Sequence, residues 1–283
     1  MSTLVWFDGA VVPAGRHLLS PLDRGFTVGD GVFETCAVVD RQPFALTRHL
    51  SRLLRSAAAV GLPEPSLGTI RAAVDDLIQH ADDGPGRLRV TWTAGTGAVG
   101  SARADGEPTL VVTLVPEGGA RPSGSPAGAD VVVVPWVRNE RSPLVGVKST
   151  SYAENVLALE HARRHGGTEA VLANTRGELC EGAATNVFVE SDGVLLTPPL
   201  SSGCLPGVTR ELVLEWGRNA GVPIEEVPIP LRDFQTAGHA AVTSSMRGIV
   251  AVRSIDGRPL ATGGATRQMA DVFAGRFAQD MDP

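Results

Sequence analysis

Lys148 is the only lysine in this chain, although the chain has 25 basic residues of the lysine and arginine types. Arginine supplies a general positive charge equally well, but it neither loses its proton nor forms an imine. A lysine amine does both when its surroundings lower its pKa. The single lysine is therefore either a nucleophilic amine or a chance survivor on the surface.

A glycine-containing turn before a predicted helix is a candidate phosphate site. Gly207 lets the backbone approach an anion, and Thr209 adds a hydroxyl. The free N–H groups at a helix start, including that of Val208, favour negative charge. Ser244 and Ser245 follow an apolar, strand-like run and offer hydroxyls to the same anion. The alternatives are an ordinary helix start and a polar strand end.

Three more side chains complete the candidate set. Glu181 lies among small and apolar residues, where a carboxylate needs a partner, and either faces a ring nitrogen or lies in an exposed turn. Arg52 is either the counter-charge of the anion or part of a solvated helix face. Tyr152, the only tyrosine, follows Lys148 closely and is either a site residue or a core aromatic.

The elements that must position these residues predict an α+β fold. Residues 1–116 alternate strand-like runs with two helices and begin with a hairpin around Asp8 and Gly9. Residues 117–129 are rich in Gly, Pro and Ser, which predicts an interdomain linker. Residues 130–283 are predicted to form a larger domain of mixed strands and helices. The predicted helices span 48–60, 66–80 with Ser66 as N-cap, 152–165, 209–220 and 266–278, and the early strands span 33–39, 44–46, 88–93 and 109–115.

Composition excludes several classes of function. A net charge of −6 and a pI near 5.5 provide no basic surface for nucleic acid. The sequence has no basic leader followed by an apolar run, and no apolar stretch approaches ~18 residues, so we expect a cytoplasmic protein without membrane contact. Three widely spaced cysteines, without a paired-cysteine motif, argue against disulfides and a structural metal site.

In chain order, five blocks resemble the class IV, fold-type IV enzymes that use pyridoxal 5′-phosphate (PLP). These include branched-chain aminotransferases, D-amino-acid aminotransferases and 4-amino-4-deoxychorismate lyases. The resemblance covers nearly the whole chain. The blocks are DRGFTVGDGVFET at 23–35, HLSRL at 49–53, GVK at 146–148, ELCEGAATNVF at 178–188, and LLTPP at 195–199 followed by LPGVTR at 205–210.

The resemblance implies a role for each candidate. Lys148 is similar to the lysine that forms the Schiff base with PLP and carries the proton, and Glu181 to the carboxylate that keeps the pyridine nitrogen protonated. The phosphate-binding set implied by the family comprises Arg52, Val208, Thr209, Ser244 and Ser245. The family also implies a small N-terminal α+β domain, a larger C-terminal PLP-binding domain and a homodimer.

The details favour the lyases over the aminotransferases. Thr35 stands where aminotransferases for branched-chain or D-amino acids usually carry Gly or Val, and a hydroxyl there resembles the lyases. We therefore predict conversion of 4-amino-4-deoxychorismate to 4-aminobenzoate and pyruvate, with Lys148, Thr35 and Tyr152 as catalytic residues. The alternatives are a transaminase acting on D-alanine or branched-chain amino acids, and a non-catalytic protein that binds small molecules.

Arginines are the candidates for the substrate carboxylates. Arg247 lies two residues beyond Ser245, and either binds a carboxylate of the substrate or pairs with a local acid. The glycine-rich loop of the lyases, which carries an arginine, is matched loosely by residues 95–103. Arg103 is therefore the second candidate.

Overall fold

The chain folds into two units that are not continuous in sequence. The computed structural model describes residues 2–16, 18–98, 100–103, 106–117 and 128–283. Unit 1 comprises Met1–Ala120, Val147–Tyr152 and Met281–Pro283, and unit 2 comprises Arg121–Gly146 and Ala153–Asp280. The structure thus groups Lys148 with unit 1, whereas the sequence division placed it in the C-terminal domain. Most of the predicted linker, residues 118–127, lies outside the described residues, so its position stays a prediction.

In the described part of unit 1, six strands form an antiparallel sheet. They are β1 (Leu4–Phe7), β2 (Ala10–Pro13), β3 (Gly31–Val39), β4 (Gln42–Pro43), β5 (Gly86–Thr93) and β6 (Thr109–Pro116). Their order across the sheet is β2-β1-β6-β5-β3-β4. The predicted hairpin around Asp8 and Gly9 joins β1 to β2, and both turn residues have positive φ, as this tight turn requires.

Two long helices cover one face of this sheet. They are α2 (Leu46–Ala59) and α3 (Leu67–His80), after a short helix, α1 (Arg24–Thr27). Ser66 caps α3 as predicted, because its hydroxyl accepts a hydrogen bond from the N–H of Thr69. The predicted strand at 44–46 is wrong: Ala45 has a φ of 53°, and the chain turns there into α2. Leu50 and Leu53 of α2 pack in the core against alternate residues of β3 and β5.

Nine strands form the sheet of the described part of unit 2, with parallel and antiparallel pairs. They are β7 (Ala129–Arg138), β8 (Glu169–Asn174), β9 (Leu179–Gly182), β10 (Asn186–Ser191), β11 (Val194–Thr197), β12 (Ile224–Glu226), β13 (His239–Ser244), β14 (Gly248–Ile255) and β15 (Arg258–Pro259). The order is β12-β11-β10-β13-β14-β7-β8-β9, and β15 pairs with β14. The pairs β7/β8, β7/β14 and β11/β12 are parallel.

Helices pack on this sheet because its strands are apolar on both sides. The helices are α4 (Ala153–Arg164), α5 (Val208–Asn219), α6 (Leu231–Thr236) and α7 (Gly264–Phe277), with a 3-10 turn at Leu200–Ser202. On β7, Val131 packs in one hydrophobic cluster, and Val132 and Val134 pack in another with Ala158 of α4. This two-sided burial explains the continuous apolar run of β7. No helix in the described part of the chain is long and apolar enough to cross a membrane.

Candidate active site

Lys148 belongs to a short extended segment that lies alongside β3. The N–H of Phe33 donates to the carbonyl of Lys148 at 2.9 Å, and the N–H of Thr150 donates to the carbonyl of Gly31 at 2.9 Å. The N–H of Lys148 donates to the hydroxyl of Ser56 on α2 at 3.3 Å. Backbone bonds on both sides therefore fix the position from which the lysine side chain extends.

Two aromatic rings lie next to the amine of Lys148. Its Nζ lies 4.7 Å from the ring centroid of Phe33 and 5.9 Å from that of Tyr152. The two rings meet edge to face with their centroids 5.4 Å apart. The structure thus brings the predicted catalytic residues Lys148 and Tyr152 together within unit 1.

Thr35 shares a sheet face with Phe33, because side chains two residues apart on a strand point to the same side. Thr35 pairs with Arg89 of β5, so the Arg89 side chain also lies on this face. The Arg89 guanidinium carbon lies 3.7 Å from the ring centroid of Phe33, and Nε donates to the hydroxyl of Thr91 at 3.2 Å. Thr35 and Arg89 thus share one sheet face with Phe33, and Arg89 and Lys148 both lie at the Phe33 ring.

Arg89 is the residue that sequence reasoning missed. Among the described residues no carboxylate pairs with it, and its side chain is only partly exposed. Burial lowers the pKa of Arg89, an effect that the nearby Tyr152 opposes. A half-buried guanidinium without a carboxylate partner is suited to an anionic ligand. Arg89 is recognised only from the register of β3 with β5, which places it opposite Thr35, and the sequence alone does not give that register.

On the opposite face of β3, Arg52 is engaged in a buried cluster. Arg52 Nε and Nη2 donate to the two carboxylate oxygens of Glu34, each at 2.7 Å. Nδ1 of His49 lies 2.6 Å from Oε2 of Glu34. All three side chains are buried, so the carboxylate orients the guanidinium that the family resemblance assigns to phosphate.

The charges of this cluster follow from its burial. Burial raises the pKa of Glu34, but the charge and hydrogen bonds of Arg52 and the bond from His49 outweigh it and bring that pKa to about 2. Burial lowers the pKa of His49, an effect that the contact with Glu34 only partly opposes. The cluster is therefore an ionised carboxylate, an arginine cation and a neutral histidine whose Nε2 has no hydrogen-bond partner among the described residues.

Arg103 is engaged elsewhere in unit 1. Its Nε and Nη2 donate to the carboxylate of Asp30 at 2.9 and 2.5 Å, and its Nη1 donates to the carbonyl of Gly61 at 2.8 Å. The buried Arg24 also donates to Asp30, and to carbonyls of the loop before Arg103. The hydrogen bond from Arg103 is the main reason why the pKa of Asp30 is lowered. Two arginines and one carboxylate thus hold this loop.

Within unit 2, Glu181 lies on β9 with its carboxylate held by the chain before α5. Its Oε2 accepts a hydrogen bond from the N–H of Leu205 at 2.8 Å. Its Oε1 lies 3.3 Å from Nε of Arg138. The residue is 9% exposed, so a ligand can still reach the edge of this carboxylate.

The start of α5 lies beside β10. Gly207 is the N-cap, and no side chain caps the helix. The side-chain amide of Asn186 donates to the carbonyl of Leu205 at 2.9 Å, and a Cβ at Gly207 would clash with Oδ1 of Asn186. Glycine is therefore required for this close approach, which leaves the amides of Val208 and Thr209 at the helix start.

Ser244 is the last residue of β13, which pairs with β10, and Ser245 follows it. Asn186 is the register partner of Thr243, so the two serines come next to the strand end that contacts the helix start. The hydroxyl of Thr243 is buried and has no hydrogen-bond partner among the described residues. Hydroxyls and helix amides therefore converge at this end of the sheet.

Arg247 lies in the same turn but near a buried acid. Its Nη2 is 3.6 Å from Oε2 of Glu169. Burial raises the pKa of Glu169, and hydrogen bonds from neighbouring backbone amides and the charge of Arg247 oppose this rise. This contact corresponds to the alternative in which Arg247 pairs with a local acid. A role in substrate binding stays a prediction for Arg247 and for Arg103.

The fold and these residues define a member of a known enzyme family. The family model for amino-transferase class IV matches residues 31–255, so the chain belongs to this family. The predicted α+β fold of type IV is confirmed, and the protein is an enzyme of the aminotransferase class IV group.

Relatives and solved structures carry several activities. The chain is 32% identical to the bifunctional aminodeoxychorismate lyase / D-amino acid transaminase of Mycobacterium tuberculosis, over 96% of each chain. A hypothetical aminotransferase from M. tuberculosis, solved with α-ketoglutarate and PMP, is 27% identical with a TM-score of 0.87, covering 98% of this chain and 99% of that one. The branched-chain aminotransferase of Thermoproteus uzoniensis with norvaline is 28% identical with a TM-score of 0.88, covering 96% and 94%.

Class IV aminotransferases depend on PLP, which confirms the predicted cofactor. The side chains of each unit fit this group. Unit 1 offers a primary amine at Lys148 and a buried guanidinium at Arg52. Unit 2 offers the carboxylate of Glu181 for a ring nitrogen, and amides and hydroxyls for a phosphate, including the hydroxyl of Thr243, which has no hydrogen-bond partner in the described part of the chain.

Proposed function

We propose that this protein is a PLP-dependent lyase that converts 4-amino-4-deoxychorismate to 4-aminobenzoate and pyruvate for folate biosynthesis. One observation carries the proposal: the amine of Lys148 and the guanidinium of Arg89 both lie at the ring of Phe33, and the hydroxyl-bearing Thr35, the register partner of Arg89, is on the same sheet face as Phe33. A cytoplasmic location and a homodimeric assembly are part of this proposal.

Each residue proposed to hold PLP has a separate task. Lys148 binds it covalently, Arg52 and the amides of Val208 and Thr209 bind its phosphate, and Glu181 accepts a hydrogen bond from its ring nitrogen. The hydroxyls of Thr209, Ser244 and Ser245 complete the phosphate-binding set. When bound, PLP supplies an electron sink for the carbon that bears the substrate amine.

Lys148 is the proposed base. It takes the proton from the ring carbon that bears the amine, and the electrons of that C–H bond form the new ring double bond. The C–O bond to the enolpyruvyl group breaks, its electron pair leaves with the oxygen, and the ring becomes aromatic. Tyr152, 5.9 Å from Nζ by ring centroid, forms one wall of the space around this amine.

Thr35 supplies the step that is specific to the lyase. The departing enolpyruvate must gain a proton at its methylene carbon to become pyruvate. A hydroxyl two residues along β3 from Phe33 lies about 7 Å along the strand from it, on the same side of the sheet as Lys148. We propose that this hydroxyl relays the proton.

Arg89 is the proposed partner of a substrate carboxylate. The substrate is a dianion, and Arg89 is a cation on the same face as Lys148 with no carboxylate partner among the described residues. Arg103 and Arg247 each lie within ion-pair distance of a carboxylate already. They remain secondary candidates for the second carboxylate.

A product assay tests the proposal. The purified protein is incubated with 4-amino-4-deoxychorismate and PLP without any keto-acid acceptor, and 4-aminobenzoate is measured by fluorescence after chromatography. We expect stoichiometric 4-aminobenzoate and pyruvate. Absence of both products from a protein that binds PLP would reject the lyase.

The second candidate is a transaminase acting on D-alanine or branched-chain amino acids. It is supported by the names of the M. tuberculosis and T. uzoniensis proteins and by Arg89, which suits the carboxylate of an amino acid equally well. Incubation with D-alanine, or with leucine, plus 2-oxoglutarate separates the two functions, because a transaminase requires the acceptor and the lyase does not. A non-catalytic binding protein would give no product in either assay.

A further inference from the structure

Arg138, the last residue of β7, lies beside Glu181 in an unusual arrangement. Its Nε is 3.3 Å from Oε1 of Glu181, yet this buried nitrogen makes no hydrogen bond among the described residues. The side chain of Arg138 is 16% exposed. The guanidinium is therefore close enough to Glu181 to act on it through its charge.

The outer end of the same guanidinium has a weaker partner. Nη1 lies 3.1 Å from Oε2 of Glu154 on α4, and the Glu154 side chain is 77% exposed. Water screens such a pair strongly, so this contact contributes little to stability. The pair with Glu154 therefore does not explain why the Arg138 side chain is largely buried.

Two cysteines near Glu181 carry no charge. Burial raises the pKa of Cys180 above its usual range, and it raises the pKa of Cys204 to about 12, so both thiols are neutral at physiological pH. Burial also disfavours the ionised form of a carboxylate, and a neighbouring cation favours it. Arg138 supplies that cation.

The charge of Glu181 matters because a ring nitrogen shares a proton with it. If the carboxylate is the stronger base, the proton stays on the acid and the ring is neutral. If a cation weakens the carboxylate as a base, the proton stays on the ring nitrogen, where it draws electrons from the reacting carbon. PLP is therefore a strong or a weak electron sink, depending on whether a cation lies beside the carboxylate of Glu181.

We propose that Arg138 is a positioning residue that keeps Glu181 ionised, so that the proton shared with the pyridine nitrogen of PLP resides on the ring. This inference rests on the role of Glu181 in the proposed function. Arg138 acts through Glu181 and touches neither substrate nor the reacting atoms.

The test measures the ring proton directly. Wild type, Arg138→Gln, Arg138→Met, Arg138→Lys and Glu154→Gln are loaded with PLP labelled with ¹⁵N in the ring, and the ¹⁵N chemical shift is recorded. We expect a protonated ring in wild type, in Arg138→Lys and in the matched control Glu154→Gln. In the two neutral variants we expect a shift to the unprotonated value, and kcat lower by at least about tenfold, the factor that corresponds to one pKa unit.

Several outcomes overturn the inference. A protonated ring in folded Arg138→Gln and Arg138→Met would show that the cation is not needed. Loss of folding in both neutral variants would assign Arg138 a structural role instead. An equal change of the ring ¹⁵N shift in Glu154→Gln would mean that the Arg138–Glu154 contact between β7 and α4 is the cause.

A Glu181→Gln variant separates this inference from the proposed function. If its ring nitrogen stays protonated, Glu181 is not the partner of the nitrogen and that part of the proposed function fails. If Glu181→Gln loses the ring proton and the Arg138 variants keep it, only the inference about Arg138 fails.

Discussion

The two faces of β3 use similar residues for opposite purposes. On the core face, Glu34 binds Arg52 through two hydrogen bonds and also contacts His49. On the other face, Arg89 has a hydroxyl and an aromatic ring as partners but no carboxylate among the described residues. A closed ionic cluster and an open cation thus lie on opposite faces of one sheet, because side chains alternate between the two faces along each strand.

This difference separates side chains that stabilise the fold from side chains that are available to bind a ligand. A buried carboxylate that lost its arginine would cost several kcal/mol, so the core face tolerates few changes. An arginine without a carboxylate partner forgoes that stabilisation and is available for a ligand. We therefore expect substitutions on the core face to change folding, and substitutions on the opposite face to change activity.

Lys148 is expected to show the largest effect. Lys148→Ala and Lys148→Arg should both have no detectable turnover, because no other lysine exists to replace the amine and arginine forms no imine. Borohydride treatment followed by peptide mass spectrometry should fix PLP to the peptide containing Lys148 in wild type only. A covalent adduct elsewhere in Lys148→Ala would contradict the assignment.

Glu34→Gln should have the next largest effect, on stability. Removing one partner of a buried ionic cluster costs about 3–5 kcal/mol, because the cation of Arg52 stays buried without its counter-charge. Urea denaturation of the PLP-free protein measures this change. Cys36 lies on the same core face but is unpaired, so Cys36→Ser is a control that tests burial without charge.

The pH dependence of stability sharpens this prediction. The pKa of Glu34 is about 2 in the folded protein against an ordinary value of 4.5, so its stabilisation is present above pH 4.5 and is lost as the pH falls toward 2. The lowered pKa of His49 acts in the same direction below the ordinary histidine pKa of 6.5. Wild type should lose stability on acidification more steeply than Glu34→Gln, and parallel curves would contradict the assigned charges.

Arg89→Gln should mainly affect substrate use. The loss of a charge-assisted hydrogen bond, about 1.5–3 kcal/mol, corresponds to roughly a 10- to 150-fold lower kcat/KM. Arg87→Gln is the matched control, because Arg87 lies two residues away on the same strand face but pairs with Glu117 at 2.6 Å. Equal losses in the two variants would mean that the effect is a general one of surface charge.

Thr35→Val should have the smallest and most selective effect. The substitution keeps the β-branched shape but removes the hydroxyl, so 4-aminobenzoate formation should fall at least ~10-fold. Any transamination of D-alanine should be unchanged, since the proton returns through Lys148 in that reaction. Equal loss of both activities would indicate a packing role for Thr35.

Short segments of the sequence are sufficient to predict most of the helices and strands. The Asp8-Gly9 hairpin and the cap of Ser66 depend on neighbouring residues, and the apolar spacing of α2 and α3 depends on one helical period, so these features follow from short segments. The lone lysine and the ordered blocks likewise identify the family without any structure. The strand predicted at 44–46 failed because the left-handed turn at Ala45 has no glycine or asparagine to mark it.

Tertiary structure decided which charges are engaged. His49 and Arg52 lie 15 and 18 residues from Glu34 in sequence, and Arg89 meets Thr35 only through the register of two strands. Arg103 and Arg247 were chosen from sequence as substrate arginines, yet each lies beside an acid that comes from a distant element. The neighbours of a charged side chain in space decide whether it pairs with another residue or binds a ligand. Spacing in the sequence does not determine those neighbours.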